Sequence, residues 1–254
     1  MRLLLDLGNT RLKWALHEAA LPTWRAQGVV EWGEDLATVL GVAWSGFPDS
    51  TQVVAASVVD EARERRLAAL VQQRFGTAPI WVRTPASACG VHNAYAEPQR
   101  LGVDRFLAMV AAHAAGRTPC VLASAGTALV LDALNAEGRH LGGLIAPGVQ
   151  LMQRALLDAT AQVRPQRAGE ILEVADNTAD AVTSGCWHAA AALVERFHAH
   201  MRPRLGGQPA LVLDGGDAPL LAGLLSLPVL MARDSVLHGL ALWANAHLPT
   251  PASP

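Results

Sequence analysis

At 254 residues, 51% hydrophobic and 17% charged, the chain is long and apolar enough for one large core or two moderate ones, which excludes wholesale disorder. A net charge of −2 without a Lys/Arg run argues against a nucleic-acid partner, and no stretch reaches the ~18 apolar residues of a membrane span. Cys89, Cys120 and Cys186 stand at wide spacings that fit neither a disulfide framework nor a zinc motif, and Met1-Arg2 runs directly into a strand rather than a signal peptide, so a soluble cytoplasmic protein is expected.

The first predicted element is the strand Leu3-Leu4-Leu5-Asp6-Leu7, which enters the turn Gly8-Asn9-Thr10 and returns through Leu12-Lys13-Trp14-Ala15-Leu16. Val53–Val59 reads as a short apolar strand, followed by a helix over residues 60–75 with Asp60 as N-cap and Gly76 as its stop. Ile80-Trp81-Val82 is another strand, leading to a long polar loop through Tyr95 and Pro98, then a helix from about Gly102 to Ala115. Strands are predicted at about 120–125, 128–134 and 140–146, with Pro147-Gly148 opening a helix to about residue 161. Asn177 caps a long Ala-rich helix over about 178–201, Leu211–Asp214 is a last strand, and Asp234 or Ser235 caps a final helix through Trp243. The tail Pro249–Pro254 should be disordered, because its prolines lack donors for helix or ladder.

Two of these segments match. Val121-Leu122-Ala123-Ser124-Ala125-Gly126-Thr127-Ala128 repeats the first strand-and-glycine turn about half a chain length later. Small residues at such a turn let an anion approach the backbone, and its N–H groups can hold phosphate oxygens. Two such hairpins would clamp a nucleotide, although each alone is also an ordinary tight turn. Strands followed by helices, in two related halves with a cleft between them, indicate an α/β architecture.

Asp6 ends a strand and could hold Mg²⁺ through water, since that ion wants oxygen ligands and keeps its hydration. Lys13 fits a phosphate contact or a solvated strand residue equally well. At Gly102-Val103-Asp104-Arg105 an acid and a base open a helix. Asp104 could accept the proton of a substrate hydroxyl and Arg105 could fork onto a carboxylate, or Asp104 could simply complement the helix dipole with Arg105 on the solvent face. Gly142–Gly148 and Asp214–Ala218 are glycine-dense strand–helix junctions. The nine histidines show no metal-ligand spacing, and neither the P-loop nor the hydrolase-elbow pattern is present.

Taken in order, DLGNT at 6–10, YAEPQRLGVDR at 95–105, SAGTALVLDAL at 124–134, GGLIAPG at 142–148, NTADAVTSG at 177–185 and LDGGDA at 213–218 resemble the type III pantothenate kinases. These belong to the acetate and sugar kinase/Hsp70/actin superfamily. The resemblance implies an α/β fold of two ribonuclease-H-like (actin-like ATPase) halves, mixed sheets flanked by helices, with the active site in the cleft between them. The halves are expected at residues 1–117 and 118–248, with 249–254 as the disordered tail. It also implies ATP-dependent phosphorylation of pantothenate to 4′-phosphopantothenate, the first step of coenzyme A synthesis, by a homodimer. Asp6, Leu7, Gly8, Asn9, Thr10, Arg11, Leu12, Lys13 and Thr127 would lie around ATP and its Mg²⁺. Tyr95, Gly102, Val103, Asp104, Arg105 and Thr178 would line the pantothenate site, with Asp104 as the proton acceptor.

One position departs from the family. Where its second phosphate motif often carries an Asp that holds K⁺ or NH₄⁺, this chain has Ser124. A hydroxyl coordinates K⁺ without neutralising it, so a weaker cation dependence is expected. Two other classes stay open: a non-catalytic accessory factor in gene regulation, and a kinase of the same superfamily with another small hydroxy substrate. Retention of Asp6 and Asp104 speaks against the first, and Tyr95 with the GVDR segment against the second.

Overall fold

The computed structural model describes residues 1–18, 23–33, 35–160, 165 and 167–250. It divides into two compact units, Met1–Ala115 joined by the chain from Ser235 onward, and Gly116–Asp234.

The first unit begins with strands β1 (Arg2–Leu7), β2 (Arg11–His17) and β3 (Ala26–Glu31), then α1 (Leu36–Ala43) and β4 (Gln52–Ser57). It continues with α2 (Glu61–Phe75), β5 (Ile80–Val82), the two-residue pair β6 (Ser87–Ala88) and β7 (Val91–His92), and α3 (Val103–Ala114). Its sheet has the order β3-β2-β1-β4-β5, with β1 antiparallel to β2 and parallel to β4. The unbroken Leu3-Leu4-Leu5 run follows from its central place, because helices cover both faces of β1. Leu3, Leu5 and Leu7 face the cluster built with α1 and α2, whereas Leu4 faces one built with α3 and the last helix.

Local signals set α2. The Asp60 carboxylate accepts the Arg63 N–H at 3.0 Å, and Gly76 ends the helix at φ +71°. The pattern gives no comparable signal for β3, whereas α1 has a cap in Asp35, whose carboxylate accepts the Ala37 N–H at 3.2 Å and the Thr38 hydroxyl at 2.7 Å. Leu36-Ala37-Thr38-Val39-Leu40 has little polar contrast, and α1 stands because Leu36, Leu40 and Trp44 are buried against the sheet.

The second unit holds β8 (Cys120–Ala125), β9 (Ala128–Leu134), β10 (His140–Pro147), α4 (Val149–Ala159), α5 (Thr178–Met201), β11 (Ala210–Asp214), α6 (Ala218–Ala222) and β12 (Val229–Met231). Its sheet order, β10-β9-β8-β11-β12, repeats the first sheet strand for strand, so the half-length similarity in the sequence is a repeated topology. Residue 161, the expected end of α4, lies outside the described residues.

The final helix, α7 (Ser235–His247), departs from the expected partition. It was expected with the second half, but it packs in the first unit, where Leu237, Leu240, Ala241 and Ala244 join Leu4, Val54 and Leu107. The contact needs Gly239, since a Cβ there would sit 2.0 Å from the Leu107 carbonyl oxygen on α3. Of the expected disordered tail, residues 251–254 lie outside the described residues; before them, the Leu248 and Pro249 carbonyls accept hydrogen bonds from Arg2. Among the described residues no helix is long and apolar enough to cross a membrane.

Candidate active site

Asp6 and Lys13 are cross-strand partners on β1 and β2, one pair before the turn. Strand alternation puts them on the face of Leu4 and Ala15, the side on which α3 packs. Beyond them Leu7 pairs with Leu12, and the Gly8 N–H donates to the Arg11 carbonyl at 3.2 Å, closing a tight turn with Asn9, Thr10 and Arg11 exposed. Two side chains from outside the hairpin reach this turn. The Trp32 indole N–H donates to the Gly8 carbonyl at 2.7 Å, and Arg63 Nη1 donates to the Asn9 carbonyl at 3.2 Å.

The start of α3 lies at the same end of this sheet. Val103 packs with Ala56 and Val82, at the C-terminal ends of β4 and β5, and Ala56 is the register partner of Asp6. The buried Thr84 hydroxyl, just past β5, donates to the Leu101 carbonyl at 2.7 Å and pins the approach to the helix. Asp104 sits in the first turn, where its Oδ1 accepts the Arg105 N–H at 2.8 Å. Gly102 makes room for that carboxylate, because a Cβ at Gly102 would lie 2.5 Å from Asp104 Oδ1.

Arg105 turns inward and is buried. Its Nη1 donates to the Tyr95 hydroxyl at 3.1 Å, with the guanidinium carbon 5.8 Å from the ring centre. Tyr95 is fixed in turn by Asn93, whose Oδ1 accepts the Tyr95 N–H at 3.0 Å while its Nδ2 donates to the Pro98 carbonyl at 3.0 Å. The loop between β5 and α3 therefore delivers one aromatic hydroxyl to one buried cation. A fixed guanidinium of this kind suits a planar carboxylate.

Ser124, Thr127 and Thr178 belong to the second unit. Ser124 is exposed on β8, one residue before the strand's end, the position Asp6 holds in β1. Its register partner on β11 is Asp214. Residues 121, 123, 125, 211 and 213 face the core, so Ser124 and Asp214 share the opposite face. Thr127 is exposed in the turn after β8, and Gly148 closes on it: the Gly148 N–H donates to the Thr127 carbonyl at 3.0 Å, and a Cβ there would lie 1.9 Å from the Gly126 carbonyl oxygen.

Thr178 is the exposed first residue of α5, behind the Asn177 cap. The buried Asp180 carboxylate holds this helix start. It accepts both Arg167 nitrogens, at 2.9 and 2.7 Å, the Asn177 side chain and the Glu170 N–H. Arg167 first, then Asn177 and that backbone donor, keep the Asp180 carboxyl well below the usual carboxylate range.

The structure thus brings Asp6, Lys13, Tyr95 and Gly102–Arg105 to one end of the first unit and places Ser124, Thr127 and Thr178 in the second. It adds three side chains that the sequence pattern does not single out: Trp32, Arg63 and Asp214. Trp32 follows a strand too weakly patterned to predict. Arg63 does carry a signal, because a cation in the first turn of α2 opposes the helix dipole and calls for another partner. Asp214 was visible only as part of a glycine turn, since its pairing with Ser124 is a matter of strand order.

A family model described as type III pantothenate kinase matches residues 2–200. Type III pantothenate kinases of Xanthomonas oryzae pv. oryzae (strain PXO99A) and Aromatoleum aromaticum are similar at 41% and 38% identity, each covering 96% of this chain and 97% and 98% of the relative. The enzyme of that name from Nitrosospira multiformis is 37% identical over 94% of this chain and 88% of its own length. Among solved structures, a Campylobacter jejuni protein described as a Baf family transcriptional activator aligns over 96% of this chain and 98% of its own, with TM-score 0.61 at 16% identity. MreB 5 of Spiroplasma citri bound to AMPPNP aligns over 96% of each chain with TM-score 0.50 at 10% identity. These structural likenesses show the fold alone, that of the actin-like ATPases and sugar kinases.

Proposed function

The chain belongs to the type III pantothenate kinase family, and from that premise we propose that it transfers the γ-phosphoryl group of ATP to the hydroxyl of pantothenate, giving 4′-phosphopantothenate in the first step of coenzyme A synthesis. The observation that carries the assignment of roles is the head of α3, where Asp104, the buried Arg105 and Tyr95 stand together.

Phosphoryl transfer asks little covalent chemistry of a protein and much positioning and charge neutralisation. Arg105, steadied by the Tyr95 hydroxyl, binds the pantothenate carboxylate, with Gly102 and Val103 lining the same substrate. Asp104 orients the hydroxyl and takes its proton as the new P–O bond forms and the bond to the ADP oxygen breaks. Asp6, Leu7, Gly8, Asn9, Thr10, Arg11, Leu12 and Lys13 form the first unit's nucleotide set, and Thr127 is the second unit's candidate nucleotide contact. Turn amides and the Lys13 ammonium meet phosphate oxygens.

Mg²⁺ fits Asp6, a half-buried carboxylate at a strand end beside that turn, and would neutralise charge on the β- and γ-phosphates. K⁺ or NH₄⁺ fits the Ser124 hydroxyl together with the Asp214 carboxylate, two oxygen donors on one face of adjacent strands. The protein acts in the cytoplasm as a homodimer, which sedimentation at twice its 26.7 kDa mass would register.

The reading of a kinase for another small hydroxy compound is disfavoured by the relatives, which share the type III pantothenate kinase name over nearly the whole chain. ADP formation over a panel of pantothenate, its methyl ester and neutral hexoses tests this. Pantothenate alone should turn over well, and the ester should lose binding. A hexose turning over faster than pantothenate would reject the proposal.

A further inference from the structure

The Gly8–Arg11 turn is held from outside by two side chains with no role in the function proposed above. Trp32 follows the last residue of β3, and its ring nitrogen donates to the Gly8 carbonyl at 2.7 Å. Arg63, in the first turn of α2, donates from Nη1 to the Asn9 carbonyl at 3.2 Å. The two also support each other. The Arg63 guanidinium carbon lies 5.3 Å from the centre of the Trp32 ring, and Asp60 Oδ2 stands 3.6 Å from Arg63 Nε.

The consequence follows from peptide geometry. The only cis bond among the described residues is Thr118-Pro119, so the two peptides joining Gly8, Asn9 and Thr10 are trans. In a trans peptide the C=O and N–H point in opposite directions across a rigid plane. Fixing the Gly8 oxygen toward Trp32 therefore aims the Asn9 N–H away from Trp32, and fixing the Asn9 oxygen toward Arg63 does the same for the Thr10 N–H. We infer that Trp32 and Arg63 are positioning residues that set both peptide planes of this turn, so that the Asn9 and Thr10 amides meet a nucleotide phosphate without reorganising. The inference rests on the proposal that this turn holds the phosphates of ATP. Preset donors matter there because a turn that must first rotate its amides spends binding free energy on doing so.

Trp32→Phe keeps an aromatic ring beside Arg63 and removes only the donor. Arg63→Gln removes the cation from a half-buried helix position, and Arg63→Lys returns a single donor. For each of Trp32→Phe and Arg63→Gln, the MgADP dissociation constant and the KM for ATP should rise roughly three- to tenfold, the equivalent of one net hydrogen bond. The KM for pantothenate should stay unchanged, and Arg63→Lys should recover part of the loss. Amide resonances of Asn9 and Thr10 in the natural protein, followed on adding MgADP, separate the two ways of failing. If they do not move, the turn is not the nucleotide site and the inference falls with that reading. If they move, but folded Arg63→Gln and Trp32→Phe bind MgADP as tightly as the natural protein, the turn reading stands and the positioning role is overturned. Should Trp32→Phe not fold, Arg63→Gln alone decides.

Discussion

The proposed proton transfer falls on Asp104, and its surroundings allow a clean test. It lies in the first turn of α3, where its Oδ1 accepts the adjacent Arg105 N–H, and Asn keeps an oxygen of the same size in that place, so Asp104→Asn should fold normally and bind MgADP normally. Turnover should drop roughly 10²–10⁴-fold, the range for lost proton-transfer assistance. A folded Asn variant with natural turnover would remove Asp104 from that role. Gly102 offers a subtler probe of the same group. Its backbone conformation suits alanine, with φ −52° and ψ 133°, but the added methyl would strike Asp104 Oδ1. The atom struck is the end of a side chain that can rotate rather than backbone, so the stability cost of Gly102→Ala should be about 1 kcal/mol. Turnover should nevertheless fall severalfold, because a displaced base loses alignment with the hydroxyl. Unchanged turnover with unchanged stability would mean that the carboxylate position is not critical. Asp104 and Arg105 could be singled out in the sequence because both are encoded in one short segment. Trp32 could not, and Arg63 showed only as a cation at odds with the dipole of α2, because their targets are two carbonyls whose orientation depends on how β3 and α2 pack around the hairpin.

At the level of elements, the register between β8 and β11 changes what Ser124 means. Taken alone, a serine where relatives carry an Asp predicts weak cation binding. Asp214 on the neighbouring strand, about 4.8 Å away by ordinary strand spacing, returns a negative charge to the same face. At an effective dielectric near 20, a unit charge about 5 Å from the ion is worth roughly 3 kcal/mol before desolvation. Half of that corresponds to about a tenfold change in affinity. Turnover measured against KCl at constant ionic strength should show saturable activation, and Asp214→Asn should raise the K⁺ half-saturation about tenfold. The K⁺-dependent rise in melting temperature, relative to tetramethylammonium chloride, should shrink in parallel. Equal responses of the natural and Asn proteins would take Asp214 out of the cation site. Elements with strong local signals were legible: α2 between Asp60 and Gly76, α5 behind Asn177, and the alternating strands β8 and β9. Those stabilised chiefly by their neighbours were not, as with the three-residue edge strand β12.

For the whole molecule, the repeated strand–turn–strand announced the duplication, and the two identically ordered sheets are its physical form. The partition at the C-terminus was not legible, because α7 joins the first unit by close packing of Gly239 on α3, and nothing local to residues 235–247 says which sheet it covers. The central claim concerns the molecule as a catalyst, and one measurement tests it most directly: ADP production from MgATP with and without pantothenate, for the natural protein and for Asp104→Asn. The account predicts ADP formation that depends on pantothenate, one 4′-phosphopantothenate for each ADP, and near-complete loss of both in the Asn protein. ADP formed at the same rate without pantothenate, or no ADP from the folded natural protein under any substrate, would contradict it.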